Sequence, residues 1–97
     1  MFVVIFRAEI DAIDEEYVAV ASRMRDLALS EFGCIEFVSA TEGTSEIALS
    51  YWPDEESIRA WKAHPEHVLA QRAGREKWYK SYSVQIAKID REYASTT

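Results

Sequence analysis

Two β-type runs near the middle of the chain, residues 34–41 and 46–52, are separated only by Glu42-Gly43-Thr44-Ser45. A gap that short with a glycine in it admits one connection, an antiparallel hairpin. A run of β-branched and aromatic residues, Phe2–Ile10, precedes the pair, and another, residues 82–89, follows it. Both read as strands. Between the first two runs, Tyr17, Val20, Ala21, Met24, Leu27 and Ala28 recur at three- and four-residue spacing. That is one apolar stripe on a helix, opened by Asp14 as N-cap, helped by Glu15 and Glu16 in its first turn, and running to about Glu31. Gly33 stands just past it, where a left-handed residue belongs. After the hairpin, Asp54 caps a short helix, Glu55–Ala63, with Ile58 and Trp61 on one side. Pro65 suits the first position of a further helix, predicted over residues 65–77.

The order is β-α-β-β-α-β, the split ferredoxin-like arrangement of the α+β class. It predicts a four-stranded antiparallel sheet with helices over one face. The 97 residues fit one domain, expected over 1–93, with an unpacked tail at 94–97. Seventeen acidic against eleven basic residues leave a net charge of −6. Phosphate backbones repel such a surface, so no nucleic-acid partner is expected. No apolar run reaches the roughly 18 residues of a membrane span, and the first residues lack the basic start and cleavage site of a signal peptide. A cytoplasmic location without membrane association is therefore expected. The single cysteine, Cys34, closes no intrachain disulfide and reads as a small buried apolar residue.

Strand residues alternate between faces. One set is uniformly apolar: Phe2, Val4 and Phe6; Ile35 and Phe37; Ile47, Leu49 and Tyr51; Tyr82, Val84 and Ile86. These are expected to face the helices. The other set mixes Val3, Ile5, Val38, Ala48, Trp52, Ala87 and Ile89 with Arg7, Glu9, Glu36, Ser50 and Gln85. A wholly solvated face is more polar than that. Four strands of ordinary spacing present roughly 400 Å² of sheet, comparable to the largest apolar patch a monomer exposes. Burial against a second copy, a two-fold homodimer through the sheet faces, is the simplest resolution.

The segment from Glu46 onward carries a family pattern. Ile47-Ala48-Leu49-Ser50-Tyr51-Trp52 ends a strand; then come Asp54, Ser57, Trp61, His64-Pro65-Glu66-His67 and Gly74-Arg75-Glu76-Lys77-Trp78-Tyr79, before the closing strand. The chain resembles the antibiotic biosynthesis monooxygenase domain family of small dimeric α+β-barrel proteins. The resemblance spans essentially the whole order of elements, is most specific over residues 52–82 and is weak in the first helix. It implies a homodimer with a pocket for a small aromatic molecule between sheet and helices of each protomer. Some members oxygenate aromatic polyketides without metal, flavin or haem, the substrate itself supplying the electrons. Others bind and degrade haem, and carry an Asn on the first strand, a Trp on the helix after the third strand and an axial His ten residues beyond it. Here Trp61 matches the Trp, but the tenth residue on is Gln71, an amide, and the first strand has no Asn; Arg7 lies near that place. No cofactor is therefore expected, with haem disfavoured. A Gly-rich dinucleotide loop is also lacking.

Within that frame His67, Trp61 and Arg7 are the candidate catalytic residues, and Tyr51, Trp78 and Tyr82 the candidate substrate-binding ones. Each has a plainer alternative. The tryptophans and tyrosines pack cores. Arg7 and Glu9 form an intersubunit ion pair or mark an exposed strand end. His64 and His67, three apart, have too few companions for a metal site. His67 is the candidate proton acceptor because an unperturbed imidazole titrates near neutrality. Gly74 inside a helix is a weak point or a close contact with a neighbouring backbone. The expected function is oxygenation of a small quinol-type aromatic. A haem-binding protein and a non-enzymatic binder of small ligands are the competing readings.

Overall fold

The computed structural model describes residues 1–96. Its elements are β1 (Phe2–Ile10), α1 (Glu15–Glu31), β2 (Glu36–Glu42), β3 (Ser45–Trp52), α2 (Glu55–Ala63), α3 (Pro65–Ala73), a π-helical turn (Gly74–Trp78) and β4 (Tyr79–Lys88). The four strands form one antiparallel sheet in the order β2-β3-β1-β4, the ferredoxin-like arrangement read from the sequence.

The caps explain the helix boundaries. Asp14 accepts the Tyr17 N–H at 2.8 Å and Asp54 accepts that of Ser57 at 2.7 Å. α2 stops at His64, whose Nδ1 accepts the Glu66 N–H at 3.1 Å and so opens α3. Gly33 takes the left-handed conformation at φ 80°. The last helix departs from expectation. It runs only to Ala73, then widens into the π-helical turn, and β4 starts at Tyr79. Gly74 is the reason. A Cβ there would lie 2.9 Å from two ring carbons of Tyr79, so the close approach is to a side chain and not, as expected, to a neighbouring backbone. The bare glycine lets that ring lie against the helix end.

Register corrects one expectation. Val4 stands opposite Ser50 and Ile86, and Phe6 opposite Ala48 and Val84. The helix-facing residues of β3 are thus Glu46, Ala48, Ser50 and Trp52. Ile47, Leu49 and Tyr51, expected inside, lie on the bare face. Fully buried Trp52 claims the inside position at the strand's end, and strict alternation carries the rest of the strand with it. Val4, Met24, Leu27, Ala28, Cys34, Trp52, Ile58 and Trp61 form the core. Its two central indoles are satisfied, Trp52 Nε1 donating to Ser50 Oγ at 2.8 Å and Trp61 Nε1 to the Met24 carbonyl at 3.1 Å. The second bond ties α2 to α1. Cys34 is buried as expected, its thiol donating to the Glu36 carbonyl at 3.2 Å.

Beyond β4, residues 89–96 carry no regular structure. Of the tail expected at 94–97, residue 97 lies outside the described residues. Among the described residues no helix is long and apolar enough to cross a membrane.

Candidate active site

Between the helices and the covered face of the sheet lies a cavity of about 300 Å³. Its floor is Val4 and Phe6 of β1, Phe37 and Ser39 of β2, Ala48 and Ser50 of β3, and Tyr82 and Val84 of β4. Val20 and Met24 of α1 roof it. The hollow exists because Ser39 of β2 and Ala48 and Ser50 of β3 are small side chains turned inward. Close packing would otherwise fill the space.

Two polar groupings stand at its ends. At one, His67 meets Trp61 edge to face, centroids 4.3 Å apart at 86°. Trp61 in turn stacks near Trp52 at 5.1 Å and meets Phe37 at 6.2 Å. Lys62 and Gln71 complete this end. Burial, with the charges of Lys62 and His64 behind it, lowers the His67 imidazole to about 4. Near neutral pH His67 is therefore uncharged and a weak base. That removes the ground on which it was expected to accept a proton. Its buried Nδ1 has no hydrogen-bond partner, and an unpaired buried nitrogen is costly unless something else binds it.

At the other end Tyr17 donates its hydroxyl proton to Glu46 Oε2 at 2.5 Å. The Trp78 and Tyr79 rings meet Tyr17 edge to face at 5.3 and 6.0 Å. Burial, the bond to Glu46 and its charge push the Tyr17 phenol far above the ordinary tyrosine range. Burial, reinforced by Glu46, pushes that of Tyr79 up to about 12. Both hydroxyls thus stay protonated and act as donors. Trp78 is 3% exposed, and its indole N–H, a donor only, is buried without a partner. From Tyr17 to Met24, beside Trp61, the helix advances roughly 10 Å.

Four of the six residues expected at a site come together here: Trp61, His67, Trp78 and Tyr82 all line the cavity. Tyr82 stacks on Phe6 at 5.8 Å and its hydroxyl receives the Arg75 guanidinium at 3.4 Å. Arg7 and Tyr51 are not brought in. Arg7 pairs with Ile47 and Ser83 and is exposed on the bare face, because its neighbour Phe6 points into the cavity. Tyr51, between inward Ser50 and Trp52, pairs with Val3 and Glu36 on that same bare face. Tyr17 and Glu46 were missed as site residues. The signal was the inward series Glu46, Ala48, Ser50, polar or small against bulky Ile47, Leu49 and Tyr51, which marks a face bordering a hollow. Of the positions of the haem pattern, Trp61 and Gln71 line the cavity and Arg7 does not. Among the described residues no three His, Cys, Asp or Glu are grouped to hold a metal ion.

No family model matches the sequence. The chain is 37% identical over 92 residues to the uncharacterised protein YqjZ of Bacillus subtilis (strain 168), covering 94% of this chain and 81% of that protein. It is 27% identical over 93 residues to a jasmonate monooxygenase of Pyricularia oryzae, covering 92% of this chain but only 43% of that enzyme. Among solved structures, the N63A mutant of SnoaB, a cofactor-independent oxygenase from Streptomyces nogalater, superposes with a TM-score of 0.80 at 15% identity, covering 97% of both chains. Rv0793 of Mycobacterium tuberculosis superposes with a TM-score of 0.80 at 14% identity, covering 96% of this chain and 98% of its own. These two likenesses concern the fold.

Proposed function

We propose that the chain, which shares the fold of antibiotic biosynthesis monooxygenases and is similar to a jasmonate monooxygenase, belongs to that family and is a cofactor-independent monooxygenase acting on a small quinol-type aromatic in its cavity. The observation that carries this reading is the cavity itself. It is walled mostly by aromatic and aliphatic side chains, with the His67 and Glu46 groupings at its ends, the composition of a site for a small organic molecule. Trp61, Trp78 and Tyr82 would hold the rings of the substrate. The free Nδ1 of neutral His67 would take a hydrogen bond from one of its hydroxyls.

The chemistry needs little from the protein. An electron-rich phenol or enol that loses its hydroxyl proton passes electron density to a ring carbon. That carbon adds dioxygen to give a hydroperoxide, which loses water and leaves a carbonyl. One oxygen atom ends in the product and the other in water, and the substrate supplies both electrons. A dry, preorganised pocket favours the charged intermediates over their leakage to solvent.

The reading includes a homodimer joined through the bare sheet faces. Val3, Ile5, Val38, Ile47, Leu49 and Tyr51 all project there, and no helix covers them. Val38 is still 43% and Ile47 40% exposed in the single chain. The corrected register of β3 makes this band more apolar than the sequence suggested, and burial of such a band favours association.

Oxygen uptake with reduced naphthoquinols and anthrone, with no metal, flavin or haem added, tests the activity. Trp61→Phe and His67→Gln should each slow it. No uptake by the folded wild-type protein across a broad panel of phenols and quinols would overturn the proposal.

A further inference from the structure

Resting on the function just proposed, we propose that Glu46, held by Tyr17, is the group that takes the hydroxyl proton of the substrate. Glu46 lines the cavity from the covered face of β3, next to the small residue Ala48 two positions on. One carboxylate oxygen, Oε2, is engaged by the Tyr17 hydroxyl. The Tyr79 hydroxyl stands close to the same carboxylate, and a carboxylate, with about four acceptor sites on its two oxygens, keeps capacity at Oε1 for a substrate hydroxyl. Tyr17 acts as a positioning residue, since its bond fixes the carboxylate without consuming its second oxygen. The orphaned Trp78 N–H belongs to the same end, one ring away from Tyr17. It would donate to the oxygen on which negative charge develops.

The two ends of the cavity divide the work on chemical grounds. A carboxylate is an acceptor before and during proton transfer. His67 is less fit for the task, being buried against Trp61. In the step itself the O–H bond of the substrate breaks and a new O–H bond forms at Oε1. The electron pair stays on the substrate as phenolate or enolate, and no other reactant is needed. Dioxygen enters only afterwards.

The test uses 2-naphthol, whose excited state is a far stronger acid than its ground state. It emits as naphtholate when a base lies against its hydroxyl, and it is not a substrate for direct oxygenation. Binding is followed separately by calorimetry. The wild-type complex should emit as naphtholate. Glu46→Gln, which keeps an acceptor for Tyr17 and so preserves the packing, should still bind 2-naphthol within about threefold while its naphtholate emission falls at least tenfold. In His67→Gln, whatever its effect on affinity, the naphtholate emission per bound 2-naphthol should stay. Naphtholate emission that survives in E46Q, or that vanishes in H67Q alone, would overturn the assignment. So would a wild-type protein that does not bind the probe. Oxygen uptake is read independently. Emission that depends on Glu46 without any uptake leaves this inference standing and removes the monooxygenase; uptake that is indifferent to E46Q does the reverse.

Discussion

Strand β3 presents two different surfaces one residue apart. Its covered side carries Glu46, Ala48, Ser50 and Trp52, and its bare side Ile47, Leu49 and Tyr51. The intuitive assignment puts the three large apolar residues in the core. The molecule does the opposite, and the reason lies in what each side meets. The covered side borders a hollow, which only small or polar side chains leave open, with a single Trp closing its end. The bare side meets no helix, and its bulk has a use only if another apolar surface lies on it. A cavity and a bare apolar surface thus arise from one alternation. Adjacent substitutions should separate them.

The largest effect is expected at Leu49→Glu. In the proposed dimer this side chain is buried near the centre of the interface, and an unpaired charge there costs on the order of 3–5 kcal/mol. Dimer association should weaken by at least about a hundredfold in sedimentation velocity, while the far-ultraviolet circular dichroism of the chain is unchanged. A wild-type protein that sediments as a monomer at micromolar concentration would break the comparison, since the bare face would then need another explanation.

The next effect separates His67 from the solvated groups. Above pH 6.5 His67 is neutral in both folded and unfolded chains. Between its ordinary value of 6.5 and its folded value of about 4, the unfolded chain binds a proton that the folded chain refuses. Stability therefore falls as the pH is lowered through this window, by about 3 kcal/mol once below it. His67→Gln cannot titrate, so the gap between wild-type and variant urea midpoints should drift against the wild type from pH 7 to pH 4. Parallel midpoints across that range would show that the imidazole is not buried as described.

The order of elements, both Asp N-caps, Gly33, the hairpin and the exact span of β1 and α2 were all legible, because each depends on local chemistry: a capping side chain, a glycine at positive φ, an alternating run. The face of β3 was not legible. Its alternation is clear, but which half points inward depends on Trp52 at the end of the strand and on space left by helices far away in sequence. The cavity followed from the same long-range fact. Trp61, His67, Trp78 and Tyr82 were found because aromatic and imidazole side chains stand out on any strand or helix. Glu46 and Tyr17 were passed over because a carboxylate at a strand start and a tyrosine on a helix stripe look ordinary until β3 and α1 bring them within hydrogen-bonding distance. Arg7 and Tyr51 were chosen for their chemistry, and parity sent them to the other face.

Filling the hollow is the third test. Ala48 lies on its floor, one residue from Leu49. Ala48→Leu adds three carbons to space that is empty rather than packed, so the usual strain of an enlarged core residue is largely avoided. It should weaken 2-naphthol binding about tenfold, or about 1.4 kcal/mol, and leave the sedimentation coefficient of the proposed dimer alone. With L49E this makes a reciprocal pair: one variant loses the partner, and the other loses the ligand.

The smallest effect is expected where the two functions of the covered face touch. Ser50 is 3% exposed; its hydroxyl both borders the cavity and accepts the Trp52 indole N–H at 2.8 Å. Ser50→Ala removes the acceptor and leaves a donor-only group in the core, a loss of about 1–3 kcal/mol when nothing replaces it. Here the adjoining hollow has room for a water molecule, which can bridge the indole to a neighbouring polar group. The cost should therefore fall at the low end, about 1 kcal/mol in the urea midpoint. The same substitution in A48L, where the hollow is filled and water is excluded, should cost more than it does alone. The double-mutant cycle reads that coupling directly. Additive changes would mean that the cavity does not reach Ser50, and that Ser50 and Ala48, though they share a face, border different spaces.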